Sequence, residues 1–173
     1  MKIKVDKLKS VTGIRTELNF SLTKEEIGDT TVLNLSSKPL VFQGVLENYD
    51  RTIKVTGEIT CFLQGLCDRC GEETEYEVKA EFSEAFTNLP EKIREGEGDQ
   101  SLSHFFEGDE IDLLPYVEQS VFLAMPMKVL CKEECMGLCP QCGQNLNIKK
   151  CSCDNTPIDP RLAVLGDLFK EVD

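Results

Sequence analysis

Nine cysteines are the residues of this chain best suited to chemistry. They fall in two clusters, one between residues 61 and 70 and the other between residues 131 and 153. Cys67/Cys70 and Cys139/Cys142 have C-x-x-C spacing, and this tight turn points two thiolates at one centre. An odd number of cysteines with no secretion signal argues against a disulfide framework. The spacing therefore predicts metal binding by thiolates.

Two four-cysteine zinc sites account for all but one of the nine cysteines. Zn²⁺ takes four thiolates in a tetrahedron, so nine cysteines divide into two closed sites and one remainder. The remainder is Cys61, which lies in the apolar run 59–63 and is predicted to be a small core residue. The predicted ligands are Cys139, Cys142, Cys151 and Cys153 for one site, and Cys67, Cys70, Cys131 and Cys135 for the other.

Other uses of the cysteines stay open at the level of sequence. A single site can join the two C-x-x-C pairs and leave four of the other cysteines as free thiols. Four cysteines can also hold an iron–sulfur cluster, and cysteine pairs can act as redox switches. We expect structural rather than catalytic metal, because catalytic zinc usually keeps an open position and uses His, Asp or Glu. The one histidine, His104, lies in an acidic segment without a ligand-spaced neighbour.

The elements that must position these cysteines are predicted mainly as strands. Residues 2–8 alternate charged and apolar side chains, and residues 40–47 and 53–66 are β-branched, apolar runs around a turn at 48–51. From Thr74 to Phe82, apolar and charged residues alternate again, which predicts a half-buried antiparallel strand. Cys67 and Cys70 are thus predicted at a hairpin tip.

Helices are predicted only in the second half of the chain. Asp112 as N-cap and Pro115 in the first turn predict a helix that ends before Pro126, and a second helix is predicted from Asp159. Residues 88–108 are predicted to be a loop. The expected fold is α+β: a β-rich antiparallel body with one central helix, a C-terminal cysteine-rich zinc knuckle and a short terminal helix. The expected division is a body over residues 1–130 and the knuckle with the terminal helix over residues 131–173.

Charge is distributed unevenly along the 173 residues, whose net charge is −12. Between Glu72 and Asp112 there are fourteen acidic and three basic residues. This acidity argues against coating nucleic acid with the whole surface, since Lys and Arg drive phosphate binding. The acidic segment is interpreted first as a solvated strand face with a loop, and alternatively as a surface that attracts a basic protein partner such as a ribosomal protein. Candidate RNA-contacting residues are Lys2, Lys4, Lys7, Lys9, Lys149 and Lys150.

Composition bounds the class of protein further. With 40% hydrophobic residues the chain can bury a core, which excludes wholesale disorder. No apolar run is long enough for a spanning helix and no signal peptide opens the chain, so a cytoplasmic protein is expected. The sequence also lacks a Gly-rich phosphate loop, a G-x-S-x-G motif and a Cys–His pair, so an enzyme is not expected.

Several ordered motifs resemble one family. Cys67-Asp-Arg-Cys70 is similar to its C-x-R-C element, and the segment Glu110–Leu113 before the central helix is similar to its next block. Residues 130–147, LCKEECMGLCPQCGQNLN, followed by Cys-Ser-Cys at 151–153 and Asp-Pro-Arg-Leu-Ala at 159–163, complete the pattern. Together these motifs resemble the YceD family, also called large ribosomal RNA subunit accumulation proteins.

This resemblance implies a bacterial cytoplasmic protein that supports accumulation of 23S ribosomal RNA. We therefore expect a non-enzymatic ribosome biogenesis factor that acts on the large-subunit precursor, through its rRNA or through a basic ribosomal protein. The resemblance brings no catalytic residues, and neither a membrane nor a small-molecule substrate is expected. The alternative from another class is a zinc- or redox-responsive regulator that uses its cysteine pairs.

Overall fold

A computed structural model of the chain describes residues 1–6, 12–28, 33–49, 52–89 and 103–153. Strands dominate this part of the chain, and the predicted β-rich α+β fold is confirmed. In the described residues the elements are β1 (Lys2–Lys4), β2 (Arg15–Leu22), α1 (Lys24–Ile27), β3 (Leu40–Tyr49), β4 (Thr52–Leu66), β5 (Glu73–Thr87), β6 (Ser103–Phe105), β7 (Glu110–Asp112) and α2 (Leu114–Ala124).

Five strands form the main sheet, in the order β2-β3-β4-β5-β6. Neighbours are antiparallel except β6, which pairs parallel to β5. Strands β1 and β7 pair with each other in a separate two-stranded sheet. Short connections join β3 to β4 and β4 to β5, as antiparallel neighbours allow, whereas residues 23–39, which include α1, connect β2 to β3.

The hairpin of β4 and β5 is the longest feature of the sheet. Its register runs without a break from Thr52 opposite Thr87 to Leu66 opposite Glu73. Along β5, Val78 and Phe82 are buried and the charged residues between them are exposed, which confirms the predicted alternation. The hairpin therefore carries residues 67–72 at its tip, about fifteen residues along the strands from its open end.

The core lies between one face of the main sheet and a layer made of α2, β1 and β7. Phe42 and Phe82 meet edge to face with ring centroids 5.3 Å apart, and α2 buries Val117 and Val121. Cys61 belongs to this core and is completely buried, as predicted. Burial raises the pKa of its thiol to about 11, which keeps it protonated and inert.

The structure corrects several predicted boundaries. Sequence patterning did not locate β2 or the single turn α1, and β6 lies in the region predicted to be a loop. Helix α2 begins at Leu114, two residues after the predicted cap, although the Asp112 carboxylate still accepts the Leu114 N–H at 3.1 Å. The tip of the 48–51 turn, most of the acidic loop and the predicted terminal helix from Asp159 lie outside the described residues. Within the described residues, no helix is both long and apolar enough to cross a bilayer.

Two glycines face each other where β3 and β4 come closest. Gly44 lies opposite Gly57, and a Cβ on Gly57 would lie 2.4 Å from the Gln43 carbonyl oxygen. The backbone atoms of a paired strand cannot move aside as a flexible side chain can. Only glycine therefore fits at these two positions. We expect Gly57→Ala to lower the free energy of unfolding by about 1–3 kcal/mol in denaturant titrations.

The matched control is Gly65→Ala in the same strand. A Cβ there would meet the edge of the Tyr76 ring at 3.1 Å, and a side chain can shift. The expected loss is smaller than at Gly57. Equal losses at the two positions would show that the close backbone approach is not a constraint.

Candidate metal centres

The first cysteine group joins the hairpin tip to the segment that follows α2. Cys67 and Cys70 come from the tip, Cys131 and Cys135 from that segment, and their four sulfurs all lie within 4.8 Å of one another. The Sγ atoms of Cys67 and Cys135 are 3.8 Å apart, and those of Cys70 and Cys131 are 3.6 Å apart. Zn–S bonds of about 2.3 Å in a tetrahedron require sulfurs about 3.8 Å apart. The group therefore has the dimensions of a four-thiolate zinc site.

The second group lies within the C-terminal segment alone. The sulfurs of Cys139, Cys142, Cys151 and Cys153 also lie within 4.8 Å of one another. Cys139 is buried, Cys142 is exposed, and the other two are intermediate. This group is therefore more accessible to solvent than the first, in which three of four cysteines are buried. Both groups can hold a metal ion.

The two C-x-x-C turns have the same backbone geometry. In each, the N–H of a following glycine donates to the carbonyl of the first cysteine, from Gly71 to Cys67 at 2.8 Å and from Gly143 to Cys139 at 2.9 Å. Both glycines have φ of +71°, the left-handed region that favours glycine. The sequence C-x-x-C-G thus specifies one turn twice, and each turn presents its two thiols to one side.

Backbone hydrogen bonds fasten the hairpin tip to the C-terminal segment. The Asp68 N–H donates to the Val129 carbonyl at 2.8 Å, and the Leu138 N–H donates to the Arg69 carbonyl at 3.1 Å. The Arg69 guanidinium donates to the Cys135 carbonyl at 2.7 Å. The two x residues of Cys67-x-x-Cys70 therefore fix the position of the opposite cysteine pair, a role that spacing alone did not reveal.

Two asparagines connect the second cysteine segment to the first group. The Asn147 amide donates to the Cys135 sulfur at 3.3 Å, and its Oδ1 accepts the Met136 N–H at 2.9 Å. The Asn145 amide donates to the Glu72 carboxylate at the hairpin tip at 2.9 Å. Hydrogen bonds to a thiolate stabilise its charge and orient it. These hydrogen bonds link the segment of the second group to the first group and to the hairpin tip. Cysteine spacing does not predict the role of the two asparagines.

Within the second group, the pKa values of the Cys139 and Cys153 thiols are shifted in opposite directions. Backbone N–H groups of Cys142 and Gln141 lower the pKa of Cys139 to about 6. The neighbouring Cys142 thiol, together with burial, raises the pKa of Cys153 to about 12. Sulfurs this close cannot all ionise side by side in the absence of a compensating charge. A divalent cation among them supplies that charge, which is the chemistry that the donor set fits.

Both predicted ligand sets are thus gathered in space, and Cys61 is in neither. The two C-x-x-C pairs lie in different groups, which is not the arrangement of a single shared site. The predicted division of the chain at residue 130 stays a prediction. The first group takes two cysteines from each side of that boundary. Whether the eight cysteines bind metal also stays a prediction at this point.

The other predicted site residues belong to neither cysteine group, although Lys149 and Lys150 directly precede Cys151. Lys2, Lys4, Lys149 and Lys150 are exposed, while Lys7 and Lys9 lie outside the described residues. His104 belongs to neither cysteine group, and its Nε2 lies 2.8 Å from a Glu84 carboxylate oxygen. The lone histidine therefore lies on strand β6 of the main sheet.

The fold and the site define a class of protein: a β-sheet protein whose longest hairpin and C-terminal segment together build two four-cysteine groups. The chain belongs to the YceD family, whose model matches residues 55–169 and is described as large ribosomal RNA subunit accumulation protein YceD. The matched range contains all eight grouped cysteines. No solved structure matches the chain.

Curated relatives come from bacteria and a plant. A chloroplastic YCED homolog 1 of Arabidopsis thaliana, named as a large ribosomal RNA subunit accumulation protein, is 26% identical over 147 residues, which are 70% of this chain and 46% of that protein. The uncharacterized protein YlbN of Bacillus subtilis is 35% identical over 71 residues, 40% of this chain and 41% of that protein. An uncharacterized Mycobacterium tuberculosis protein is 28% identical over 124 residues, 72% of this chain and 59% of its own. The chain thus spans about half the length of these relatives.

The contact between Asn147 and Cys135 generates a prediction. Asn147→Ala removes the amide that donates to the sulfur, and loss of such an outer partner typically weakens metal affinity about 10- to 100-fold. We expect this loss of zinc affinity in competition with a chromophoric chelator. Gln144→Ala, which removes an amide three residues earlier in the same segment, is the control and should keep the affinity of the unaltered protein. Identical affinities of the two variants would contradict the role of Asn147.

Proposed function

We propose that this chain is a non-enzymatic factor of large-subunit assembly that supports accumulation of 23S ribosomal RNA in the bacterial cytoplasm. The observation that carries the proposal is the family match over residues 55–169, which takes in both cysteine groups. The name of the plant relative points in the same direction. Free, clustered thiols favour a reducing compartment, which supports the cytoplasmic placement.

We further propose that each cysteine group binds one Zn²⁺ as a structural ion. Sulfur separations of 3.6 and 3.8 Å in the first group support this, because they match the edges of a zinc–thiolate tetrahedron. Four sulfurs complete the tetrahedron and leave no position for water or substrate. Closed sites of this kind hold chain segments together, which supports a non-enzymatic role.

The outer face of the β4–β5 hairpin supports a basic protein partner. Glu58 and Glu81 lie directly opposite each other there, an arrangement of like charges that destabilises a sheet. Glu77 follows on the same face, and Lys79 is the cation closest to it, 3.4 Å from its carboxylate. Eight thiolates with two Zn²⁺ would add about −4 to the net charge. We therefore propose a basic ribosomal protein, rather than rRNA, as the direct partner within the large-subunit precursor.

Metal content tests the proposed sites directly. Elemental analysis of the reduced protein should give about two zinc ions per chain. Cys67→Ser and Cys139→Ser should each lose one, because each removes a ligand of a different group. Cys139→Ser should also unfold the C-terminal segment, since metal binding and folding share one free energy in such small units.

Cys61→Ala is the matched control, because Cys61 is a buried thiol outside both groups. It should retain both ions. Zinc-free protein, or equal zinc loss from Cys61→Ala and Cys139→Ser, would refute the partition. A reversible disulfide in place of bound metal would favour the redox-responsive regulator instead.

Partner capture tests the proposed role. Tagged protein should co-purify with proteins of the large subunit, and nuclease treatment should leave a basic ribosomal protein bound, because protein contacts do not depend on RNA. The double variant Glu58→Gln/Glu81→Gln removes the directly opposed carboxylates and should weaken this capture. In a strain without its own family member, the chain should raise the ratio of 23S to 16S rRNA.

The charge-matched control is Glu25→Gln/Glu107→Gln, which neutralises two exposed carboxylates outside the β4–β5 hairpin and outside both cysteine groups. It should leave capture unchanged. Complete loss of ribosomal proteins after nuclease would show that rRNA is the direct partner. An unchanged rRNA ratio in the complemented strain would contradict the assembly role itself.

A further inference from the structure

Strand β2 leaves one edge of the main sheet open within the described residues. It is eight residues long, and its exposed side chains outnumber its half-buried ones. Proteins usually protect such edges with proline, inward lysine or a very short strand. The segment Arg15–Leu22, RTELNFSL, has neither proline nor lysine, and its two charged residues, Arg15 and Glu17, carry opposite signs. The edge therefore offers backbone groups that can pair with another strand.

The register identifies which backbone groups point outward. The Asn48 N–H donates to the Ile14 carbonyl at 3.1 Å, at the start of the β2–β3 ladder. In an antiparallel ladder only alternate residues bond a given neighbour. The even-numbered residues of β2 therefore bond β3, while Arg15, Glu17 and Asn19 direct their N–H and C=O groups toward the open side.

We propose that a second copy of this chain pairs with β2 in antiparallel orientation, with Thr16 on the two-fold axis. Arg15 then lies opposite the partner's Glu17, and Glu17 opposite the partner's Arg15, so the edge is complementary in charge to itself. On the inner side Ile14 lies opposite the partner's Leu18, and both are half-buried in the single chain. The central pairs exchange about four backbone hydrogen bonds.

Charge selects this register over its neighbours. With the axis at Glu17, two carboxylates lie directly opposite, which is unfavourable. With the axis at Leu18, Arg15 faces Ser21 and Glu17 faces Asn19, so neither opposite-charge pair forms. The Arg15 side chain is 70% exposed and its Nε is 3.8 Å from Glu47, so its guanidinium is accessible to a second chain.

Sedimentation equilibrium of the zinc-loaded, full-length protein tests the dimer. The mass should rise with concentration from 19.4 kDa toward twice that value. Arg15→Glu alone should weaken association about tenfold, because both opposite-charge pairs become like-charge pairs. Glu17→Arg alone should do the same for the same reason.

Two further experiments distinguish loss of the proposed pairing from loss of the fold. An equimolar mixture of the single variants should associate again as a heterodimer, and the double variant Arg15→Glu/Glu17→Arg should associate with itself. Lys54→Glu, an exposed charge on the central strand β4, is the matched control and should leave association unchanged. A mass of 19.4 kDa at every concentration, single variants that associate normally, or a mixture that does not recover would each overturn the proposal.

Discussion

The closure of the hairpin tip against the segment after α2 is the constraint on which the rest of the structure depends. Cys70 and Cys131 are 61 residues apart in the chain, yet their sulfurs lie 3.6 Å apart. Among the described residues, the buried cluster around this contact is small and consists mainly of the cysteines themselves. Hydrogen bonds of the tip residues Asp68 and Arg69 set the geometry, and an ion shared by four thiolates would hold it.

This constraint explains why one family match covers both a sheet and a cysteine-rich tail. The long hairpin positions two thiols at its end, Cys131 and Cys135 supply the other two, and the second group lies in residues 139–153 that follow. Asn147, which lies between the cysteines of the second group, donates to the Cys135 sulfur of the first group. This hydrogen bond attaches the second cysteine segment to the end of the hairpin. The outer face of β4 and β5 therefore keeps a fixed position relative to the cysteine end.

Much of this arrangement was predictable because its signals are local. The sequence C-x-x-C-G specifies a turn, and the alternation along β5 identifies its buried face. The sequence alone therefore predicts that Cys67 and Cys70 lie at a hairpin tip. The shortest strands carry no local signal: β6 is three residues long and exists through its pairing with Ala85–Thr87. Strand β2 did carry alternating Leu18, Phe20 and Leu22, a signal that its flanking polar residues obscured. The asparagine contacts depend on tertiary position alone, which no spacing rule expresses.

X-ray absorption at the zinc edge of the purified, reduced protein tests the central claim most directly, because it reports the atoms that surround the metal. Two closed thiolate sites predict a first shell of four sulfurs per zinc at about 2.3 Å, with no lighter ligand. A first shell that contains oxygen or nitrogen at about 2.0–2.1 Å would contradict closed structural sites. An iron edge with sulfide scattering in place of zinc would contradict the identity of the ion.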